Sequence, residues 1–286
     1  MLTPTPPQRL QPSASYSTIL FRDISISHDP DSCVVITGAG KSFFSGFGLN
    51  IGFPRTASGE EKVVQLKDEH ITEHRDSGGR AVLAIHQCSK PTIAAINSAA
   101  VGIGIIMCLP AVIRVAYEKA NIGFVSSRRG LVMEACSSYF LPCLISFSRA
   151  MLLTTIGAVY PANSPHFGSL FAEILPTPEA TLARTLEMAD DIAKNTSTVS
   201  NRLMRNMMYC GPDSAEASHL PDSRVIYSFY GSKDNIEGVQ SFFEKRPARF
   251  TGTLSEDTPE GYPWWNPVDI GHKYPRGIFG YVKAII

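Results

Sequence analysis

Two glycine-containing turns, each following a short apolar strand, present backbone groups suited to hold a negatively charged oxygen. The first turn runs from Gly38 to Leu49 and the second from Asn97 to Gly104. Because glycine lets the main chain approach a ligand closely, two such turns that converge can aim two N–H groups at one oxygen. Each donor of an oxyanion hole typically stabilises a transition state by about 3 kcal/mol. The plainer interpretation is that both segments are ordinary strand-to-helix turns.

Glu134 is the candidate base for such a site. Its neighbours in the sequence are apolar, namely Leu131, Val132, Met133, Ala135 and Cys136. A carboxylate among such side chains is partly dehydrated, which raises its pKa and makes it a better base near neutral pH. The alternative is a structural acid in the first turn of the following helix, where a negative charge favours the helix N-terminus.

The two turns and the segment Gly130–Tyr139 together resemble the crotonase (enoyl-CoA hydratase/isomerase) superfamily, over roughly residues 7–250. The run Glu134-Ala135-Cys136-Ser137-Ser138-Tyr139 resembles its delta-3,delta-2-enoyl-CoA isomerase branch. The resemblance implies an α/β fold, a crotonase-like ββα superhelix with a C-terminal helical region. It also implies an acyl-CoA thioester as substrate, with coenzyme A as part of that substrate and no separate cofactor.

The same resemblance, carried over residue by residue, assigns roles around the two turns. The backbone N–H groups of Phe47 and Ile103 become the oxyanion-hole donors, and Glu134 becomes the catalytic base. Further substrate contacts fall at Ser45, Gly46, Gly48, Leu49 and Gly102. The second turn is expected to open a helix through Ile105 to Leu109, whose N-terminal dipole favours a developing enolate.

Two positions distinguish the possible reactions. The hydratases of the superfamily use two glutamates, and the matching positions here are Ile106 and Ser126. Water addition needs one carboxylate to activate the water and another to hold or protonate the reactants. A single base that takes a proton from C2 and returns it at C4 suits an allylic isomerase. The sequence therefore favours an enoyl-CoA isomerase.

Three departures from the family pattern leave other functions open. Gly48 stands where relatives have aspartate, Met133 stands where they have proline, and no first strand is recognisable ahead of Pro6. One alternative is an enoyl-CoA hydratase-like enzyme of fungal-type secondary metabolism that makes a toxin or a siderophore. Another is a non-catalytic crotonase-like protein that binds acyl-CoA.

Composition argues against several classes of function. The formal net charge of the 286 residues is zero, which disfavours a nucleic-acid partner, and no apolar run approaches the ~20 residues that span a bilayer. The six cysteines show no C-x-x-C pairing and are expected to be buried thiols in a reducing compartment. His70 and His74 have an i, i+4 spacing, but we interpret this pair as part of a solvated helix face, so no metal is expected. No targeting pattern is recognisable, and the family alone suggests a peroxisomal or cytoplasmic location.

Strand and helix patterns alternate along the chain. Strands are predicted at 33–37, 92–96, 112–116 and 122–124. From Pro178 a helical stripe of apolar residues contains Leu182, Leu186, Met188, Ile192 and Ala193. We therefore expect a crotonase-like core at 1–177 and, at 178–286, a helical region for oligomerisation and for covering the active site, with an irregular tail from Arg249. The resemblance implies a homotrimer or a dimer of trimers.

Overall fold

The computed structural model describes residues 33–39, 42–44 and 74–270. In this part of the chain the strands are β1 (Val34–Thr37), β2 (Ser42–Phe44), β3 (Thr92–Ile96), β4 (Ala99–Val101), β5 (Ile113–Tyr117), β6 (Asn121–Gly123), β7 (Val159–Pro161) and β8 (Glu173–Leu175). The helices are α1 (Ser77–Gln87), α2 (Ile103–Ile106), α3 (Ser137–Ile145), α4 (Phe147–Ile156), α5 (Pro178–Asn195), α6 (Thr198–Cys210), α7 (Ala215–Phe229) and α8 (Lys233–Glu244). Short 3-10 segments cover Ser126–Arg129 and Pro165–Phe167.

The described strands form two sheets. The first sheet has the order β1-β3-β5-β8 and is parallel throughout, and the second has the order β2-β4-β6-β7 with an antiparallel β6–β7 pair. Along the chain, β1 to β6 alternate between the two sheets. Each strand–strand–helix passage therefore adds one strand to each sheet, which confirms the predicted ββα superhelix.

Strand β3 forms the centre of the first sheet. All five of its residues are buried, because β1 and β5 flank it and helix α5 packs on it. A parallel strand covered on both faces reads as a continuous apolar run, which is why the sequence predicted the bounds of β3 correctly. Strands β1 and β5 begin one residue later than predicted, at Val34 and Ile113.

Helix α2, which follows the second turn, is shorter than expected. The sequence predicted a helix through Ile105 to Leu109, whereas the helix ends at Ile106. Tighter turns follow, in which Cys108 N–H donates to Ile105 O and Leu109 N–H donates to Ile106 O. Proline at position 110 cannot donate the next helical hydrogen bond, and the chain must enter β5 at Ile113. The expected dipole contribution is therefore limited to a single turn.

Helix α5 begins at Pro178 as predicted, but its buried face is not the leucine stripe. Thr181 and Thr185 are fully buried, while Leu186 is 51% exposed. Each threonine hydroxyl donates to the carbonyl four residues earlier, at 2.9 Å and 2.8 Å, so these hydroxyls are buried without losing their hydrogen bonds. The prediction was correct for Met188 and Ile192, which pack against the first sheet.

The C-terminal helices enclose a separate apolar cluster. Val199, Leu203 and Val225 are its buried residues, and the tail packs on them through Tyr262 and Trp264. The tail is anchored because Trp264 Nε1 donates to Cys210 O at 3.2 Å. Residues 249–270 contain no helix or strand, as predicted.

Some expectations lie outside the described residues or stay predictions. The segment ahead of β1, where no first strand was recognised, lies within residues 1–32. The division into 1–177 and 178–286 remains a prediction. None of the helices that the structure describes is both long and apolar enough to cross a membrane.

Candidate active site

The structure brings the starts of the two turns side by side. Strands β2 and β4 pair in parallel, with Phe44 opposite Ala100. The backbone of Gly104 then lies so close to β2 that a Cβ there would be 2.2 Å from Phe44 O. Only glycine fits this contact, because no real Cβ approaches an oxygen so closely. Because β2 belongs to the first turn segment, Gly38–Leu49, these contacts place the described part of that segment beside the second turn.

Five of the predicted site residues lie in the first turn and outside the described residues. They are Ser45, Gly46, Phe47, Gly48 and Leu49. Their roles stay predictions, including that of the Phe47 N–H as the first oxyanion-hole donor.

The second turn gives the Ile103 N–H a defined direction. Gly102 has φ 59° and ψ −127°, a conformation that side-chain-bearing residues rarely adopt, and its N–H donates to Gly123 O at 2.8 Å. Ile103 follows as the first residue of α2, where N–H groups have no intrahelical acceptor. Its side chain is buried. This geometry suits the predicted role of Ile103 as a hydrogen-bond donor and of Gly102 as a residue that lets a ligand approach.

The backbone around Glu134 is held by an unusual turn. Ala135 and Cys136 both have positive φ values, 51° and 56°, and α3 begins only at Ser137. Ser137 fixes the Glu134 carbonyl oxygen with two donors, its N–H at 3.0 Å and its Oγ at 2.6 Å. Glu134 therefore precedes the helix, and the alternative interpretation as a first-turn acid is wrong.

The surroundings of the Glu134 carboxyl make it a stronger base. Although the residue as a whole is exposed, neighbouring protein atoms dehydrate the carboxyl enough to raise its pKa, and the negative charge of Asp76 raises it further. The expected direction of the shift is therefore confirmed. The contribution of Asp76 was not expected from the sequence, because Asp76 is distant along the chain.

Gly78 on helix α1 marks the point where these elements meet. A Cβ on Gly78 would lie 2.8 Å from Ile103 Cδ1 and 3.2 Å from Ala135 Cβ. The second turn, the Glu134 loop and the start of α1 are therefore packed against one another. The predicted base and the predicted backbone donor belong to the same small region of the fold.

A cavity of about 530 Å³ is lined by residues on both sides of Glu134 in the sequence. Met133 and Ser137, which flank Glu134 in sequence, lie in its wall. The wall also contains Ile106 and Ser126, the two positions at which hydratases of the superfamily have glutamates. Apolar side chains and hydroxyl groups complete it, from Phe124, Ser127, Leu131, Val132, Thr154 and Thr155.

The other candidate groups have structural roles. His86 contacts the rings of Phe140 and Tyr209, and burial together with the charges of Arg205 and Arg202 lowers its pKa to about 4. It is therefore neutral at physiological pH. Among the described residues there is no group of three or more potential metal ligands, and all six cysteines are free thiols. Cys143 is exposed, so the thiols are not all buried.

The arginine pair at 128–129 lies at the surface. Arg128 Nε donates to Ile156 O at 2.8 Å, and Arg129 Nη1 contacts the carbonyl oxygen of Arg128. Both residues are exposed.

Comparison with known proteins identifies the family of the chain. The sequence fits the family model described as Enoyl-CoA hydratase/isomerase over residues 25–253. The chain belongs to this family. It is 48% identical over 233 residues to "Enoyl-CoA hydratase AFT3-1" of Alternaria alternata, which covers 82% of this chain and 75% of the relative. It is 47% identical, with the same coverage, to "Enoyl-CoA hydratase ACTT3" of the same organism.

Solved structures of the enoyl-CoA hydratase/isomerase family share the fold. A probable enoyl-CoA hydratase/isomerase from Mycobacterium abscessus has a TM-score of 0.72 at 24% identity, covering 84% of this chain and 88% of its own. An enoyl-CoA hydratase from Bacillus anthracis has a TM-score of 0.70 at 25% identity with the same coverage. The crotonase-like fold predicted from the sequence is confirmed.

Proposed function

We propose that the protein is an enoyl-CoA isomerase, which moves a double bond in an acyl-CoA thioester from C3–C4 to C2–C3. The supporting observation is the wall of the cavity of about 530 Å³. The two hydratase glutamate positions are Ile106 and Ser126, and both line that cavity without supplying a carboxylate. Glu134 has a raised pKa, and the nearby residues Met133 and Ser137 lie in the same cavity wall. A single proton-carrying group is what an allylic isomerisation requires.

The reaction begins with proton removal. The thioester carbonyl accepts hydrogen bonds from the N–H groups of Ile103 and Phe47, while the Glu134 carboxylate takes the proton from C2. The electron pair of the C2–H bond moves toward the carbonyl oxygen and gives an enolate conjugated with the C3–C4 double bond. Donors held in place for that oxygen stabilise the charge without reorganising.

The second step returns the same proton. Protonated Glu134 donates to C4, the electron pair of the dienolate forms the new C4–H bond, and the double bond settles between C2 and C3. Atoms and charge balance, because the base ends as it began. The apolar part of the cavity wall, including Ile106, Phe124 and Val132, suits the hydrocarbon part of an acyl chain. Coenzyme A arrives with the substrate.

The test offers the purified protein a 3-enoyl-CoA and, separately, a 2-enoyl-CoA, with products separated by chromatography. We expect the 3-enoyl-CoA to become the 2-enoyl-CoA, with no hydroxyacyl-CoA from either substrate. Ser126→Ala serves as the matched control, because the hydroxyl occupies a hydratase position that this mechanism does not use. Hydration as the main reaction would contradict the proposal.

A hydratase of secondary metabolism is the second candidate. The observation in its favour is the similarity to the two Alternaria alternata relatives, which are named enoyl-CoA hydratases and are 47% and 48% identical to this chain. In the same assay this candidate predicts a hydroxyacyl-CoA from the 2-enoyl-CoA. Tight thioester binding without turnover of either substrate would instead support a non-catalytic acyl-CoA-binding protein.

A further inference from the structure

Asp76 is a second carboxylate held close to the proposed catalytic centre. It is the N-cap residue of α1, where its Oδ2 accepts a hydrogen bond from Gly79 N–H at 2.5 Å. Its carbonyl oxygen accepts from Arg80 N–H at 3.2 Å. Capping bonds of this kind fix both the backbone and the side chain of the cap residue. The carboxylate of Asp76 therefore has a defined position rather than a range of rotamers.

That position lies close to the two functional segments. The site of a Cβ on Gly78 would be 3.4 Å from Asp76 Oδ2, 3.2 Å from Ala135 Cβ and 2.8 Å from Ile103 Cδ1. Ala135 follows Glu134 directly and is buried. A carboxylate oxygen, the loop that carries the base and the residue with the proposed N–H donor thus surround one glycine. Any side chain at position 78 would separate them.

In the part of the chain that the structure describes, the charge of Asp76 has no direct ion-pair partner. Within the described residues no salt bridge joins Asp76 to a lysine, arginine or histidine. The guanidinium groups in the segment leading to Glu134, those of Arg128 and Arg129, contact the carbonyl oxygens of Ile156 and Arg128. On its own loop, Glu134 has the Cys136 thiol nearby, and α2 brings only apolar side chains.

We propose that Asp76 is a positioning residue that keeps Glu134 basic enough to carry a proton. This inference rests on the proposed function. The fixed negative charge opposes a second negative charge on Glu134 and so favours its protonated form. The same charge acts on the Cys136 thiol. One Asp76 oxygen is bonded to the Gly79 N–H of the helix cap, and we assign Asp76 a positioning role rather than that of a second catalytic acid.

The direction of the pKa shifts supports this arrangement. Burial is the first cause of the raised pKa of Glu134, and the charge of Asp76 is the second. The pKa of the Cys136 thiol is raised by the same two causes in the same order. For a general base, a pKa nearer the working pH makes proton removal from carbon more favourable.

The test is Asp76→Asn, which keeps a good N-cap residue and removes the charge. We measure kcat/KM for a 3-enoyl-CoA against pH. Without the opposing charge Glu134 ionises at lower pH, so the acid limb of the profile should move to lower pH and the plateau rate should fall. Asp222→Asn is the control, because it removes the same charge at an exposed position on α7. It should leave the acid limb of the pH profile unchanged. Asp76→Ser, another good cap, gives a second variant if Asp76→Asn folds poorly.

Two measurements separate the failure of this inference from failure of the proposed function. If the parent is active and Asp76→Asn has the same acid limb as the parent, the role of Asp76 is overturned. A parent without isomerase turnover would overturn the proposed function instead. In that case an NMR titration of the 13C-labelled Glu134 carboxyl still decides whether Asp76 acts on it. The Glu134 signal is assigned as the one that is missing in Glu134→Gln. An unchanged titration in Asp76→Asn rejects the effect.

Discussion

At the scale of single residues, Glu134 carries the proposed chemistry. Its carbonyl is fixed by Ser137 and its carboxyl is partly dehydrated, so its position and its basicity have separate structural causes. The left-handed residues Ala135 and Cys136 turn the chain between Glu134 and α3. This loop keeps Glu134 outside helix α3, although α3 begins only three residues after Glu134.

The first prediction concerns turnover. Glu134→Gln removes the proton carrier and keeps the shape of the side chain, so acyl-CoA binding should remain while isomerase turnover falls by at least about 10²–10⁴-fold. Ser126→Ala should retain turnover. Binding is measured by calorimetry with a 2-enoyl-CoA, and turnover by product formation from the 3-enoyl-CoA. Parent-like activity in Glu134→Gln would remove Glu134 from the mechanism.

The second prediction concerns the dependence of stability on pH. Because the pKa of Glu134 is higher in the folded protein than its ordinary value of 4.5, the folded state holds the proton more tightly than the unfolded state. This group therefore stabilises least at neutral pH, and its contribution is lost as pH rises from about 4.5 through the folded pKa. Glu134→Gln should raise the melting temperature at pH 7.5 relative to the parent, and the gain should shrink toward pH 4. A gain that is equal at both pH values would contradict this cause.

At the scale of elements, the second turn depends on a close backbone approach. Gly104 sits against Phe44 O in β2, and Gly102 supplies the left-handed start of α2. These contacts hold the second turn and α2 against strands of the second sheet, with Gly104 against β2 and Gly102 bonded to Gly123 of β6. The chain therefore has little freedom to tolerate a side chain there.

The third prediction tests that approach. Gly104→Ala places a Cβ 2.2 Å from Phe44 O, so a strand or turn must move, and the protein should lose about 1–3 kcal/mol of stability together with activity. Gly238→Ala is the control, because its Cβ in α8 would lie 3.4 Å from the ring of Phe250, at the edge of ordinary contact, and alanine favours a helix. Thermal unfolding of both variants compares them. Similar losses in the two would show that the close approach is not the cause.

At the scale of the whole molecule, the C-terminal helices leave large apolar side chains in solvent. Met208 is 81% exposed, Tyr227 79%, Phe242 78% and Phe243 77%. These side chains lie on α6, α7 and α8, in the region for which the resemblance predicted oligomer contacts. Apolar groups this exposed on neighbouring helices are typical of a surface that binds another protein.

The fourth prediction is the assembly. We expect a homotrimer or a dimer of trimers, and light scattering at micromolar concentration measures the mass directly. Replacing both Phe242 and Phe243 by aspartate should lower that mass, since charge disfavours burial in an apolar interface. Replacing the exposed, polar Glu216 by glutamine should not. A parent that is monomeric throughout this range would contradict the expectation.

The sequence by itself determined the features that depend on neighbouring residues. Local conformational preferences predicted three of these features: the apolar run of β3, the glycines of the second turn and the proline at the start of α5. The structure agrees with all three. The order of these motifs also determined the family. The leucine stripe of α5 was partly misleading, because threonines bonded within the helix can be buried as well as leucines.

Only the tertiary structure decided what lies beside the proposed base. Asp76 and Glu134 are far apart in the chain, and nothing in their local sequence indicates that Gly78 lets them approach the same point. Electrostatic effects act through space, so their sources follow from packing rather than from sequence order. The same holds for Gly104 and Phe44, whose contact exists because the β2–β4 pairing brings two distant turns together.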